Sequence, residues 1–138
     1  MSPVIEQAVQ ARLVSSTPRM ETVPATLFYD RADPFAVRMA FPPPATLEGT
    51  EVTWEFSREL LATGMTEPVG VGDVRVRPFG YGRTVLEFHA PEGTAMVHLR
   101  TSELRQFLER AQGLVPDGRE HLYLDLDHDL AELLRDAC

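Results

Sequence analysis

Several groups of residues in this chain have types and spacings that could do chemistry. Gly70-Val71-Gly72-Asp73 has the glycine content of a phosphate-cradling loop. It leads into the strand-like Val74 to Val76 instead of opening a helix, and no Lys-Ser or Lys-Thr follows, so the amide donors of a helix N-terminus are missing. It reads as a tight turn, and the same geometry argues against a dinucleotide fingerprint. Asp125, Asp127 and Asp129 open with calcium-loop spacing, but the sixth position is Leu130 and the twelfth is Asp136, where glycine and glutamate are needed. Helix capping explains Asp127 and Asp129 better. His89 and His98 fall on neighbouring strands and follow a polar face, and no third ligand stands at a useful spacing for zinc. His121 and His128 read as surface residues. No Gly-x-Ser-x-Gly element offers a nucleophile, and with 21 Asp and Glu a pair of carboxylates carries no weight. The expectation is no metal, no cofactor and no enzymatic activity.

Two sets of charges remain. Arg75, Arg77 and Arg83 form a local basic cluster, and period two puts Arg75 and Arg77 on one strand face. Phe79 and Tyr81 lie nearby, in a turn with Gly80 and Gly82 that accounts for them; with the arginines they define the alternative of a single-stranded nucleic-acid-binding surface. The second set is Asp30, Asp33, Arg58 and Asp73, which take no part in the apolar alternation. Arg58 opens a helix, beside the positive helix end, and is expected either to pair with Asp30, Asp33 or Asp73 or to face solvent. Replacing Arg58 by Glu or Asp33 by Arg is then expected to leave melting nearly unchanged.

The elements that must position these residues follow from hydrophobic spacing. Alternation marks strands through Val9, Ala11 and Leu13, through Val23, Ala25, Leu27 and Tyr29, through Phe35, Val37, Met39 and Phe41, and through Val52, Trp54 and Phe56. Asp30 to Pro34 is a turn, Ser15 to Pro18 is turn-like, and Pro42-Pro43-Pro44 opens a loop reaching Gly49. Ser57 caps a short helix that Gly64 ends in the left-handed conformation. Strands follow at Val74 and Val76, at Leu86 and Phe88, and at Ala95, Val97 and Leu99, the last two joined at Pro91-Glu92-Gly93. Leu104, Phe107, Leu108 and Ala111 stripe a second helix, ended by Gly113 and Pro116. Leu122, Leu124 and Leu126 predict an extended segment, and Asp127 caps a third helix bearing Leu130, Leu133, Leu134 and Ala137. Four strands, a helix, three strands and two helices make an antiparallel α+β domain.

The 138 residues are expected to form one domain, 1–138, large enough to bury a core. At 43% hydrophobic and 25% charged the composition is that of an ordinary globular protein, and no apolar run approaches the roughly 20 residues that span a bilayer. The N-terminus lacks a basic region ahead of an apolar one, so the protein is expected in the cytoplasm. Cys138 is the only cysteine, which excludes an internal disulfide. All 13 basic residues are Arg, which reads as high-GC codon usage, and the net charge of -8 opposes polyanion binding.

The motifs also form an ordered set: Tyr29-Asp30-Arg31-Ala32-Asp33-Pro34-Phe35-Ala36-Val37, then Val52 to Leu61, Pro68 to Val76, Pro91-Glu92-Gly93-Thr94-Ala95, Phe107-Leu108, Val115 to Glu120 and Leu124 to Asp127. In order and spacing this set resembles the SsgA-like proteins, small regulators of sporulation-specific cell division in filamentous actinomycetes. The resemblance implies a fold similar to the Whirly single-stranded nucleic-acid-binding proteins, hence two antiparallel β-sheets with packed helices in a Whirly-like single domain, and assembly as a homotrimer. It further implies a non-enzymatic regulator, recruited to division septa, that contacts cell-division proteins such as the tubulin-like division-ring protein or other family members. The partner surface is expected on the Asp30 to Pro34 turn, the outer face of the Ser57 to Gly64 helix and the Gly70 to Asp73 turn.

Overall fold

Period-two alternation produces strands with one buried face and one open face. The computed structural model describes residues 4–14, 20–42, 50–91 and 93–123. In it β1 is Val4–Val14, β2 Met20–Asp30, β3 Ala36–Phe41 and β4 Val52–Ser57. Helix α1 is Arg58–Gly64, followed by β5 at Val74–Pro78, β6 at Arg83–Ala90 and β7 at Gly93–Arg100. Helix α2 is Thr101–Leu114, and Glu120–Tyr123 forms a 3-10 turn. The expected third helix, together with Leu124, Leu126, Asp125, Asp127, Asp129, His128 and Cys138, lies outside the described residues, as do the Ser15 to Pro18 turn and most of the Pro42 to Gly49 loop.

All seven strands belong to one sheet, in the order β4-β3-β2-β1-β7-β6-β5, and every ladder is antiparallel. The expectation of an α+β fold with two antiparallel sheets and packed helices in a Whirly-like domain is therefore corrected. The described residues form a single, mostly antiparallel sheet curled toward a barrel, with two α-helices. The cause is the second edge of β1. One edge pairs with β2 along all eleven residues, and the other takes β7 at Arg12↔His98, Leu13↔Val97 and Val14↔Met96, joining β1–β4 and β5–β7 into one sheet.

The right-handed twist of such a sheet brings its ends together. Phe88 on β6 meets Trp54 of β4, Phe41 of β3 and Phe56 of β4, at centroid separations of 5.0, 5.8 and 6.2 Å. Helix α1 spans the remaining gap, packing on both β4 and β5. Ser57 caps it as expected, its Oγ accepting from the Leu60 N–H at 2.8 Å. Gly64 serves a different purpose from the one expected: its φ is not positive, and a Cβ there would overlap the Val76 side chain. The glycine is a packing requirement where helix meets strand.

Helix α2 covers one end of the core with Leu104, Phe107 and Ala111 buried, the stripe expected from their spacing. Its polar side is tied to β1, since Gln7 Nε2 donates to the Glu103 carbonyl at 2.9 Å and Arg110 donates to Gln7 Oε1 at 3.1 Å. Two local expectations change. Phe35 sits half-exposed in the turn before β3, and Leu122 belongs to the 3-10 turn, exposed, instead of an extended strand.

Candidate contact surfaces

The turn after β2 is built by aspartates bonding their own backbone. Asp30 Oδ1 accepts from the Ala32 N–H at 2.8 Å, the Asp30 carbonyl accepts from the Asp33 N–H at 2.9 Å, and the Asp33 carbonyl accepts from the Ala36 N–H at 3.2 Å. Asp33 also pairs with Arg38 at 3.3 Å, and Arg38 reaches Glu55 at 3.9 Å across the β3–β4 ladder. Asp30, Asp33 and Arg38 line an open depression of about 350 Å³ together with Val4, Phe28, Ala36 and Thr53. Helix α1 abuts the turn through the Arg58 N–H, which donates to the Phe35 carbonyl at 2.8 Å. Glu59 and Ala62 form the outer face of α1, while Arg58, Leu61 and Gly64 face inward. Asp73 is exposed ahead of β5, its carbonyl accepting from the His89 N–H at 2.7 Å. No hydrogen bond or ion pair among the described residues links Asp73 to Asp30, Asp33 or Arg58.

Arg58 occupies neither of the expected environments. Only 4% exposed, it donates from one terminal nitrogen to Tyr29 Oη at 2.9 Å and the Val115 carbonyl at 2.7 Å, and from the other to Asp117 Oδ1 at 2.6 Å. Its guanidinium carbon lies 5.3 Å from the Tyr29 ring centroid, and Tyr29 passes the chain on by donating to the Pro34 carbonyl at 2.8 Å. Burial raises the Tyr29 phenol above its usual 10, an effect that outweighs the opposing hydrogen bond and charge of Arg58. One guanidinium thus ties together β2, the Asp30 to Pro34 turn, α1 and the segment after α2. Asp117 and Tyr29 were not legible as its partners because they stand 59 and 29 residues away in sequence.

The second surface is the outward face of β1, β7, β6 and β5. Register aligns Arg12, His98, Val85 and Arg77 in one row across four strands, and sets Arg83 directly opposite Arg100. Val85 is fully buried and His98 is 7% exposed, although neither belongs to the main core; Phe79 covers the row, its ring meeting the His98 ring edge-on at 5.0 Å. Arg77 lies 5.8 Å from the Phe79 centroid and pairs with Glu87 at 3.6 Å. His98 was expected on a polar face near His89; register places it opposite Val85 while His89 sits by the hairpin turn opposite Thr94. Burial lowers the His98 pKa from 6.5, and the charges of Arg77, Arg83 and Arg12 push the same way. The structure thus gathers Arg77 and Arg83, keeps Arg75 on the same strand face, and adds Arg12 and Arg100, which only long-range pairing could have revealed. Gly80 and Gly82 take φ of 60° and 71°, the left-handed turn that holds Phe79 and Tyr81 outward.

Residues 23–120 match the family model described as Streptomyces sporulation and cell division protein, SsgA. The sporulation-specific cell division protein SsgB of Streptomyces coelicolor is 40% identical over 140 residues, covering 99% of this chain and all of the relative. The protein of the same name from Salinispora tropica is 40% identical, covering 94% of this chain and 92% of its own. A solved structure from work correlating mutations in SsgB with longitudinal cell division during sporulation of Streptomyces coelicolor superposes with a TM-score of 0.79 at 38% identity, over 90% of this chain and 98% of that one. The SsgA-like sporulation-specific cell division protein of Thermobifida fusca superposes with a TM-score of 0.82 at 34% identity, over 95% and 96% of the two chains. With sequence and backbone both matched over nearly their full length, the chain belongs to the SsgA-like family of actinomycete sporulation and cell-division proteins.

Proposed function

We propose that this chain is a non-enzymatic regulator of sporulation-specific cell division that helps position or assemble the septum through protein-protein contacts. The observation that supports this reading most is its likeness, end to end, to proteins named for sporulation-specific cell division. In this reading the chain works in the cytoplasm, is recruited to division septa, and assembles as a cyclic homotrimer, with the tubulin-like division-ring protein or other family members as partners. Its working surface is the Asp30 to Pro34 turn with the exposed face of α1 and the Gly70 to Asp73 turn. Asp30, Asp33 and Asp73 offer carboxylates to a partner, while Arg58 holds the turn and α1 in place from inside.

The test is to express the chain in a Streptomyces coelicolor strain lacking its SsgB. Restored sporulation septa, with a fluorescent fusion of the chain at them, are the expected result. A folded chain that neither restores septa nor localises overturns the reading. Asp33→Arg is expected to reduce localisation while leaving melting nearly unchanged, since its ion pair with Arg38 is exposed.

A further inference from the structure

We propose that the outward face of β1, β7, β6 and β5 is a docking site for a short acidic peptide segment of a partner protein. Its carboxylates are held by Arg12, Arg83 and Arg100, and an apolar side chain sets against Phe79 and Tyr81. The proposal rests on the reading that the chain acts by protein contact, and it assigns that contact a second surface.

The first argument is charge left unmatched. Elsewhere Arg38 and Arg58 are paired with carboxylates, but among the described residues Arg12, Arg75, Arg83 and Arg100 form no ion pair. Like charges directly opposite across a ladder destabilise a sheet, and Arg83 faces Arg100. A carboxylate set between them reverses the sign of that term. The second argument is the field at His98, where every charge that shifts the imidazole is an arginine, so the positive potential converges on one row. The third is apolar area beside the charge: Phe79 is 48% exposed and Tyr81 wholly so. Aromatic anchors next to arginines are the composition of a binding centre.

Size and sign favour a peptide over a nucleic acid. From Arg12 to Arg77 is three strand spacings, about 14 Å, which an extended peptide of about five residues spans. The chain as a whole carries -8, so a longer polyanion leaving the patch enters a repulsive field, whereas a short acidic segment is accommodated locally.

Fluorescence anisotropy with a labelled ten-residue peptide containing four glutamates and one phenylalanine tests this, with the glutamine version and a ten-nucleotide oligothymidine as comparators. The glutamate peptide is expected to bind, and the double variant Arg12→Gln/Arg83→Gln to bind it about tenfold more weakly. Arg119→Gln, away from the row, leaves binding unchanged. Equal binding of the glutamate and glutamine peptides, or no binding by either, overturns the proposal. Oligothymidine binding more tightly than the glutamate peptide, with the same loss in the double variant, overturns it in favour of a nucleic acid. If melting shows that the double variant is unfolded, Arg100→Gln alone carries the comparison. Septa restored by a chain that fails to bind the peptide remove this site and leave the regulator reading intact. Peptide binding by a chain that restores no septa does the reverse.

Discussion

The two halves of the outward sheet face treat their arginines in opposite ways. Over β2, β3 and β4, Arg38 is held between Asp33 and Glu55, and its neighbours in the next row, Thr26, Ala40 and Thr53, are small and uncharged. Over β1, β7, β6 and β5, arginines gather about a buried histidine, and among the described residues only Arg77 meets a carboxylate. The first half matches its arginine with carboxylates of its own; the second leaves Arg12, Arg75, Arg83 and Arg100 without an ion pair among the described residues. Mean charge, the quantity composition reports, conceals this division, because what matters is how register distributes the signs.

The largest effects should appear where the two halves meet or are locked. Phe88→Ala removes the ring that joins β6 to β3 and β4 and is expected to cost about 3–5 kcal/mol in urea unfolding. A cost below about 1 kcal/mol would mean that the sheet ends do not depend on this contact. Arg58→Ala is expected to cost about 1–3 kcal/mol, since it leaves the buried Val115 carbonyl and Tyr29 hydroxyl without their donor while the exposed Asp117 carboxylate returns to solvent. This replaces the expectation from sequence that Arg58→Glu is nearly silent in melting.

The next effect separates the halves by pH. His98 has a folded pKa lowered from 6.5, so the unfolded chain takes up the proton first. Its contribution to stability is complete above about pH 6.5 and is lost as pH falls from there through the folded value. The groups facing it are Arg12, Arg77, Arg83 and the Phe79 ring. His98→Phe should flatten this part of the stability-pH curve, and an unchanged slope would assign it elsewhere. The smallest effect has the opposite sign in the two halves. Arg100→Gln, which relieves a like-charge pair, should raise stability by about 0.2–1 kcal/mol. Arg38→Gln should lower it by about 0.2–1 kcal/mol, and matching signs would erase the distinction.

Much of the local plan was legible in the sequence. The alternation of Ala25, Leu27 and Tyr29 marks a buried strand face, Ser57 marks a helix start, and Leu104, Phe107 and Ala111 mark a helix stripe, because each signal lies within one element. The architecture was not, because a strand's own pattern does not say which two strands it will lie between. Nothing near Arg12 announces His98, 86 residues on, and that pairing decides between two sheets and one. The same limit hid the Arg58 environment: an arginine at the positive end of a helix reads as exposed until Tyr29, Val115 and Asp117 are brought around it. The family likeness is carried by ordered motifs and does not depend on how the strands pair.

The antiparallel bridge between Val69 and Val76 has a consequence for the colloidal behaviour of the protein. A sheet that stops short of closure exposes two rows of backbone donors and acceptors, which can recruit strands from other molecules and seed insoluble assemblies. On β5 the Val76 N–H and carbonyl that would face outward are already engaged by Val69, at 3.0 and 2.9 Å, in chain that has just left α1. The segment from Gly64 to Val69 therefore works as an edge guard. Shortening it would be felt first as turbidity at high concentration, ahead of any loss of partner recognition.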